Sequence, residues 1–188
     1  MLVPITIVIA LALMPLLHGD LRSVAAMRFR LAGLLAVALF IQVLVVTVFP
    51  GPASLPRLTL FLGSYTLGLA FLYLNRRLSG LWLIAVGAFL NLLAIMANSG
   101  VMPATPGALA TADIQPSSEV FANSANVANP HLWFLGDVFA TASSWPLANV
   151  FSVGDVLIAM GAGWAILAAS RRSPVQPERE SGAATPGT

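Results

Sequence analysis

Five long apolar stretches determine what this 188-residue chain can fold into. Each approaches the length of about 20 residues that an α-helix needs to cross the hydrocarbon core of a bilayer. The stretches cover residues 2–17, 31–49, 58–74, 78–97 and 150–169. Because 58% of the residues are hydrophobic and 9% are charged, the chain is too apolar for a soluble domain. The sequence therefore predicts an all-α integral membrane protein with five transmembrane helices.

The positions of the arginines predict how these five helices are oriented. Positively charged loops are retained on the cytoplasmic side of a membrane. Eight of the nine arginines follow the first, third or fifth apolar stretch, whereas Arg57 stands on the other side. This pattern places the N-terminus outside the inner membrane of a bacterium and the C-terminus in the cytoplasm. Residues 98–149 then form a long extracytoplasmic loop between helices 4 and 5.

Composition predicts the domain organisation and the kinds of partner. We interpret residues 1–172 as one membrane domain and residues 173–188, rich in Pro, Glu, Ser and Gly, as a disordered cytoplasmic tail. The chain has no cysteine, which excludes thiolate metal sites and a cysteine nucleophile, and we expect no metal and no other cofactor. The arginines lie at helix ends rather than on one folded face, so no nucleic acid is expected. The expected partners are the lipid bilayer and a membrane-anchored peptide or another membrane protein.

Two aspartates at the outer end of the last apolar stretch are the residues that most suggest chemistry. Asp137 lies just outside this predicted helix, and Asp155 lies one turn inside it. An aspartate within a bilayer is disfavoured by about 2.5 to 3.5 kcal/mol, so its presence there indicates a functional site. If Asp137 folds beside Asp155, one carboxylate could hold a proton while the other activates water. The alternative is that each aspartate caps a helix or bonds an amide.

The loop before helix 5 contains a run, residues 132–139, that is too apolar for water and too short to cross a membrane. We expect it to pack against the outer end of helix 5 and to bring Asp137 close to Asp155. Trp133 and Trp145 suit the interfacial aromatic belt. Earlier in the loop, a helix cap at residues 116–119 predicts a short surface helix that extends to Val127.

Polar side chains within the predicted helices are of the kind that joins helices. Gln42, Asn91 and Ser64 can form hydrogen bonds across helix contacts, and helix packing is the preferred interpretation for each of them. Small residues below Asp155 on its own helix face predict that this aspartate faces the helix bundle. Asn91 shares a helix face with Asn98, seven residues later, so it could also point toward the outer site.

The C-terminal third resembles the catalytic end of lipoprotein signal peptidases (signal peptidase II). The segment Leu-Gly-Asp137-Val is similar to their V-V-D-F pattern, and Phe151-Ser-Val-Gly-Asp155 is similar to the F-N-x-A-D pattern that opens their last helix. Trp145-Pro146 fits the linker between the two patterns. The resemblance implies that Asp137 and Asp155 are catalytic and face the outer side. Ser152 stands where that family has asparagine, and the family has four spans instead of five.

The whole chain is similar to an uncharacterised group of bacterial multipass membrane proteins that share N-x-G-x-M-P and F-L-G-D…N-V-F-S-x-G-D segments. This resemblance implies a shared site and no known activity. Together with the linker tryptophan, the two resemblances imply a set of supporting residues around the aspartates. These are Asn98, Gly136, Trp145, Asn149, Ser152 and Gly154.

Three classes of function remain open from the sequence. The preferred interpretation is a non-catalytic role in envelope maintenance or assembly, because several motif residues of the signal peptidases are missing. A membrane aspartyl peptidase or related hydrolase is the alternative, since it explains both carboxylates and their side of the membrane. A small transporter or channel is the second alternative, although one acidic residue within the spans provides no charged relay across the bilayer.

Overall fold

The computed structural model describes residues 2–13, 19–49, 52, 54–115, 124–146 and 148–171. This part of the chain is predominantly helical. Its α-helices are α1 (Leu2–Leu13), α2 (Leu21–Ala25), α3 (Ala32–Gln42), α4 (Leu55–Leu74), α5 (Leu81–Ala97), α6 (Pro106–Ala112) and α7 (Val153–Ser170). A π-helix (Val43–Val48) continues α3, and a 3-10 helix covers Trp133–Leu135. The short strands are β1 (Met102–Pro103), β2 (Ser124–Ala125), β3 (Asp137–Ala140) and β4 (Val150–Ser152).

The long helices lie where the apolar stretches predict them. In order, α1, α3 with its π-helix, α4, α5 and α7 correspond to the five stretches. Helices α4 and α7 are long and apolar enough to cross a membrane, by length and composition, whereas α5 is apolar but shorter. The last helix begins at Val153 instead of Val150, because the three residues before it form β4.

The prediction of an all-α chain is wrong in the segment between α5 and α7. β3 and β4 contain β-branched and aromatic residues, among them Val138, Phe139, Val150 and Phe151, which favour strands. The two strands pair as an antiparallel ladder in which Phe139 lies opposite Phe151. The predicted surface helix is also wrong at its end, since Ser124–Ala125 form β2. Residues 116–123, where that helix was predicted to begin, and the predicted tail at residues 173–188 lie outside the described residues.

Helices α5 and α7 approach each other closely at glycines. A Cβ atom on Gly154 would lie 2.6 Å from the carbonyl oxygen of Gly87, and one on Gly87 would lie 2.4 Å from that of Gly154. Further along the interface, a Cβ atom on Gly161 would lie 2.6 Å from the carbonyl oxygen of Gly80. Cβ atoms essentially never come within 3.0 Å of another heavy atom, so these backbones can meet only where side chains are absent. The contact fixes the first turn of α7 against α5.

The strands and the 3-10 helix lie where α5 ends and α7 begins. β3 pairs with β4, β1 pairs in parallel with β2, and Ala104 forms a bridge to Asp137. The 3-10 helix, which is part of the 132–139 run, contacts both α5 and α7. Leu135 packs against the buried cluster of the bundle, while Trp133 and Phe134 are 57% and 52% exposed.

The glycine contact predicts an asymmetric response to alanine. In Gly154→Ala the new methyl group meets backbone, so α5 and α7 must separate, and we expect a loss of about 1 to 3 kcal/mol of unfolding free energy. Gly68→Ala on α4 is the matched control, because a Cβ atom there meets nothing within 4 Å. The control should be neutral or gain about 0.5 to 1 kcal/mol. Unfolding of the purified protein in detergent measures both, and equal stability of the two variants would contradict the proposed contact.

Candidate functional site

Both predicted aspartates line one cavity of about 310 Å³, where α5 ends and α7 begins. Its polar lining comes from α3, α4, α5, α7 and the strand segments. These residues are Gln42, Tyr65, Asn91, Ser124, Asp137, Asn149 and Asp155. Among the described residues on its wall, the charged ones are the two aspartates. The cavity therefore attracts cations and hydrogen-bond donors.

Asp155 lies in the first turn of α7, three residues after the N-cap residue Ser152. The Asp155 N–H donates to Ser152 Oγ at 3.0 Å, and the Ser152 N–H donates to Asp155 Oδ2 at 3.0 Å. This reciprocal pair is a capping box, which satisfies two backbone donors at the start of the helix. The capping role that the sequence left as an alternative for Asp155 is therefore present in the structure.

Asn91 of α5 contacts both members of this capping box across the helix interface. Ser152 Oγ donates to Asn91 Oδ1 at 2.7 Å, and Asn91 Nδ2 donates to Asp155 Oδ1 at 2.9 Å. Asp155 thus faces the bundle, as its small neighbours predicted. Each of its carboxylate oxygens accepts a hydrogen bond from a fixed group, so the carboxylate is held as an acceptor in one orientation.

The register of the β3–β4 pair positions Asp137. Its Cα partner across the ladder is Ser152, the N-cap residue of α7, so Asp137 lies beside the turn that carries Asp155. Its backbone carbonyl accepts the Thr105 N–H at 3.1 Å, and its Oδ2 accepts a hydrogen bond from Ser124 Oγ. The backbone of Asp137 is therefore fixed by Thr105 and its carboxylate by Ser124, and the residue is only 4% exposed.

The surroundings of Asp137 change its acidity. Burial raises the pKa of Asp137 from 3.8 to about 6, the hydrogen bond from Ser124 opposes this shift, and the negative charge of Asp155 adds to it. A carboxyl group with a pKa near 6 exchanges its proton close to neutral pH, as a general acid or base must.

Within the described residues, no three His, Cys, Asp or Glu side chains come together as a metal ion would require.

Three of the predicted supporting residues lie at or directly behind the cavity. Asn149 lines it, Ser152 holds Asp155, and Gly154 leaves room for the amide of Asn91. A Cβ atom on Gly154 would lie 2.0 Å from Asn91 Oδ1. A larger residue at position 154 would therefore displace the group that binds Asp155.

The other three predicted supporting residues lie farther away. Gly136 packs against Pro103, where a Cβ atom would lie 2.1 Å from the carbonyl oxygen. Asn98 accepts the His131 N–H at 2.9 Å and donates to the His131 carbonyl at 2.8 Å, which fixes the loop before the 3-10 helix. Trp145 is 63% exposed and lies outside the cavity wall. Gly136 and Asn98 thus support the fold around Asp137, and Trp145 does not contribute to the cavity.

Several cavity residues were missed by sequence reasoning. Asn91 is predicted mainly as a packing residue, although its position seven residues before Asn98 places both on the same face of α5. Gln42 was likewise assigned to helix packing, and Tyr65 gave no signal beyond one hydroxyl in an apolar run. Ser124 was assigned to a helix, so its strand position and its bond to Asp137 had no sequence signal.

Comparison with known proteins assigns the chain to a family. The sequence profile of a family of unknown function, DUF5317, matches residues 26–167, which is well over half of the chain. The chain therefore belongs to this family of unknown function. Comparisons with curated proteins and with solved structures yield no match. These comparisons do not test the resemblance to lipoprotein signal peptidases, which stays a prediction from the residues around Asp137 and Asp155.

Proposed function

We propose that this protein is a multipass integral membrane protein with the two-aspartate cavity at its extracytoplasmic end. Support comes from the apolar surface of its helices. Only 17% of the apolar stretch of α4 is buried, which favours a lipid-facing helix over the core helix of a soluble protein. Large apolar side chains such as Phe40, Leu60 and Trp82 are 63%, 52% and 53% exposed. Contact of these side chains with lipid costs little free energy, whereas their exposure to water is unfavourable.

Cysteine accessibility tests this placement directly, because the natural chain has no cysteine and each variant has a single thiol. We expect a membrane-impermeant maleimide to label Ser144→Cys, in the loop before β4, in intact cells. Ser79→Cys, in the turn between α4 and α5, should react only after the membrane is permeabilised. Labelling with the opposite pattern would contradict the proposed orientation.

We infer further that the cavity is the hydrolytic site of an aspartyl peptidase that acts on a membrane-anchored peptide. The observation that carries this inference is that Asp137 and Asp155 line the same polar cavity in different environments. Asp137 is buried and exchanges its proton near neutral pH, whereas Asp155 is held by donors. Two carboxyl groups with such different surroundings divide the roles of acid and base.

The proposed reaction uses one water molecule. The water oxygen bonds to the peptide carbonyl carbon while Asp155 takes a proton from that water. At the same time, Asp137 gives its proton to the carbonyl oxygen. The tetrahedral intermediate then breaks its C–N bond. Asp155 returns the water proton to the leaving nitrogen, and Asp137 recovers its own proton from the hydroxyl group. Ser152, which stands where signal peptidases have asparagine, holds the Asn91 amide that orients Asp155 in this step.

A non-catalytic assembly role is the second candidate, and the capping box favours it. Both oxygens of Asp155 already accept structural hydrogen bonds, and the same residues hold α7 against α5. In this role, the cavity would bind a donor-rich segment of another membrane protein without cleaving it. A carboxylate that only caps a helix should be replaceable by an amide of the same shape at modest cost.

Paired substitutions separate the two candidates. Asp155→Asn and Asp137→Asn keep the shape of each side chain and remove its acid–base function, so a peptidase should lose about 10²- to 10⁴-fold in rate. The double variant should be little worse than either single variant, because members of one catalytic unit are strongly non-additive. The measurement compares the N-termini of membrane proteins by mass spectrometry in cells that express each variant.

Asp113→Asn is the matched control for this experiment. Asp113 is an exposed aspartate that follows α6, outside the cavity wall, so its variant should produce the same N-termini as the wild type. Protein abundance in the membrane fraction is measured alongside. If all aspartate variants accumulate normally and their N-termini equal those of the wild type, the peptidase proposal fails and the assembly role is retained.

A further inference from the structure

A second concave surface lies on the exposed side of α7, away from the aspartates. This groove has a volume of about 430 Å³. It is lined by Leu83 of α5 and by Met160, Gly163, Trp164, Leu167 and Ala168 of α7. Met160 and Trp164 are 56% and 49% exposed, and Trp164 meets Trp82 edge to face with ring centroids 6.3 Å apart. The groove is therefore apolar along its length. Gly163 contributes no side chain to its wall.

The dimensions of the groove suit one leaflet of a bilayer. Its lining residues on α7 recur at intervals of three and four positions, so they form one continuous face of the helix. From Met160 to Arg171 the helix rises over eleven positions, which is about 16 Å at about 1.5 Å per residue. Half of a hydrocarbon core about 30 Å thick has nearly the same depth.

One end of the groove is charged. Arg171, the C-cap residue of α7, is an exposed lining residue at that end. In the proposed topology this end lies at the cytoplasmic surface, where lipid phosphates are located. Guanidinium groups match phosphate geometry and bind it in a bidentate manner. An apolar channel of leaflet depth that ends in an arginine has the layout of a phospholipid, with an acyl chain below and a phosphate above.

We propose that this groove binds one phospholipid with an anionic headgroup, with an acyl chain between Leu83 and Trp164 and the phosphate at Arg171. This proposal rests on the membrane placement given above and is independent of the peptidase reaction. It differs from general contact with lipid because it requires a preference for net negative headgroups. A cation near the membrane surface contributes about fivefold in affinity for anionic lipid.

Native mass spectrometry of the full chain in detergent tests the proposal. The probes are phosphatidylglycerol and phosphatidylcholine with the same acyl chains, added in equal amounts after delipidation. We expect the wild type to retain one phosphatidylglycerol in about fivefold preference to phosphatidylcholine. Arg171→Gln should remove this preference, whereas Arg77→Gln, which removes a cation from the same end of the bundle outside the groove, should keep it.

Ala168→Phe fills the groove and should reduce the retention of both lipids, with its fold checked by circular dichroism. Equal retention of the two lipids by the wild type, or an unchanged preference in Arg171→Gln, would overturn the proposal. The same holds if Ala168→Phe folds and retains lipid as the wild type does. Fractionation of the cells separates this failure from a failure of the membrane placement, because a protein found in the membrane without lipid preference contradicts only the groove.

Discussion

The backbones of α5 and α7 meet at Gly87 and Gly154, and this contact positions the residues around Asp155. Helices with side chains at their contact points lie 8–10 Å apart, and a short amide side chain spans such a gap poorly. At the glycines the two backbones meet, so Asn91 reaches both Ser152 and Asp155 with direct hydrogen bonds of 2.7 and 2.9 Å. The close approach therefore turns three residues of two helices into one closed network.

The same network links the strand segment to the bundle. Ser152 is the last residue of β4 and the N-cap of α7, and it is the ladder partner of Asp137. Any movement of α7 relative to α5 would thus move both carboxylates and change the cavity that they line. This pairing holds the two carboxylates in fixed positions relative to each other, which suits a catalytic site and a binding site alike. The surroundings of the two carboxylates differ, because Asp137 is bonded by Ser124 and Asp155 is bonded by Asn91 and Ser152.

The sequence predicts the five apolar helices well, because a long run of apolar residues is visible directly in the order of the residues. It also predicts that Asp137 and Asp155 lie near each other, since an acid near an apolar helix is rare, and both residues line one cavity. The strands between α5 and α7 could not be predicted in this way, because Ser124 pairs with Met102 and Asp137 pairs with Ser152 across sequence distance. The role of Asn91 depends on the distance between helices, and that distance is determined by glycines on two separate segments.

Asp137 and Asp155 line one cavity, and the charge of Asp155 acts on the acidity of Asp137. Infrared difference spectroscopy measures it through the carbonyl band of the protonated carboxyl group that disappears in Asp137→Asn. In the wild type this band should titrate with a midpoint near pH 6, following the raised pKa of Asp137. In Asp155→Asn the midpoint should fall, because the negative charge that helps to raise the pKa of Asp137 is gone, and should stay above 3.8, because burial remains. A wild-type midpoint near 3.8, or one that Asp155→Asn leaves unchanged, would contradict the coupled site.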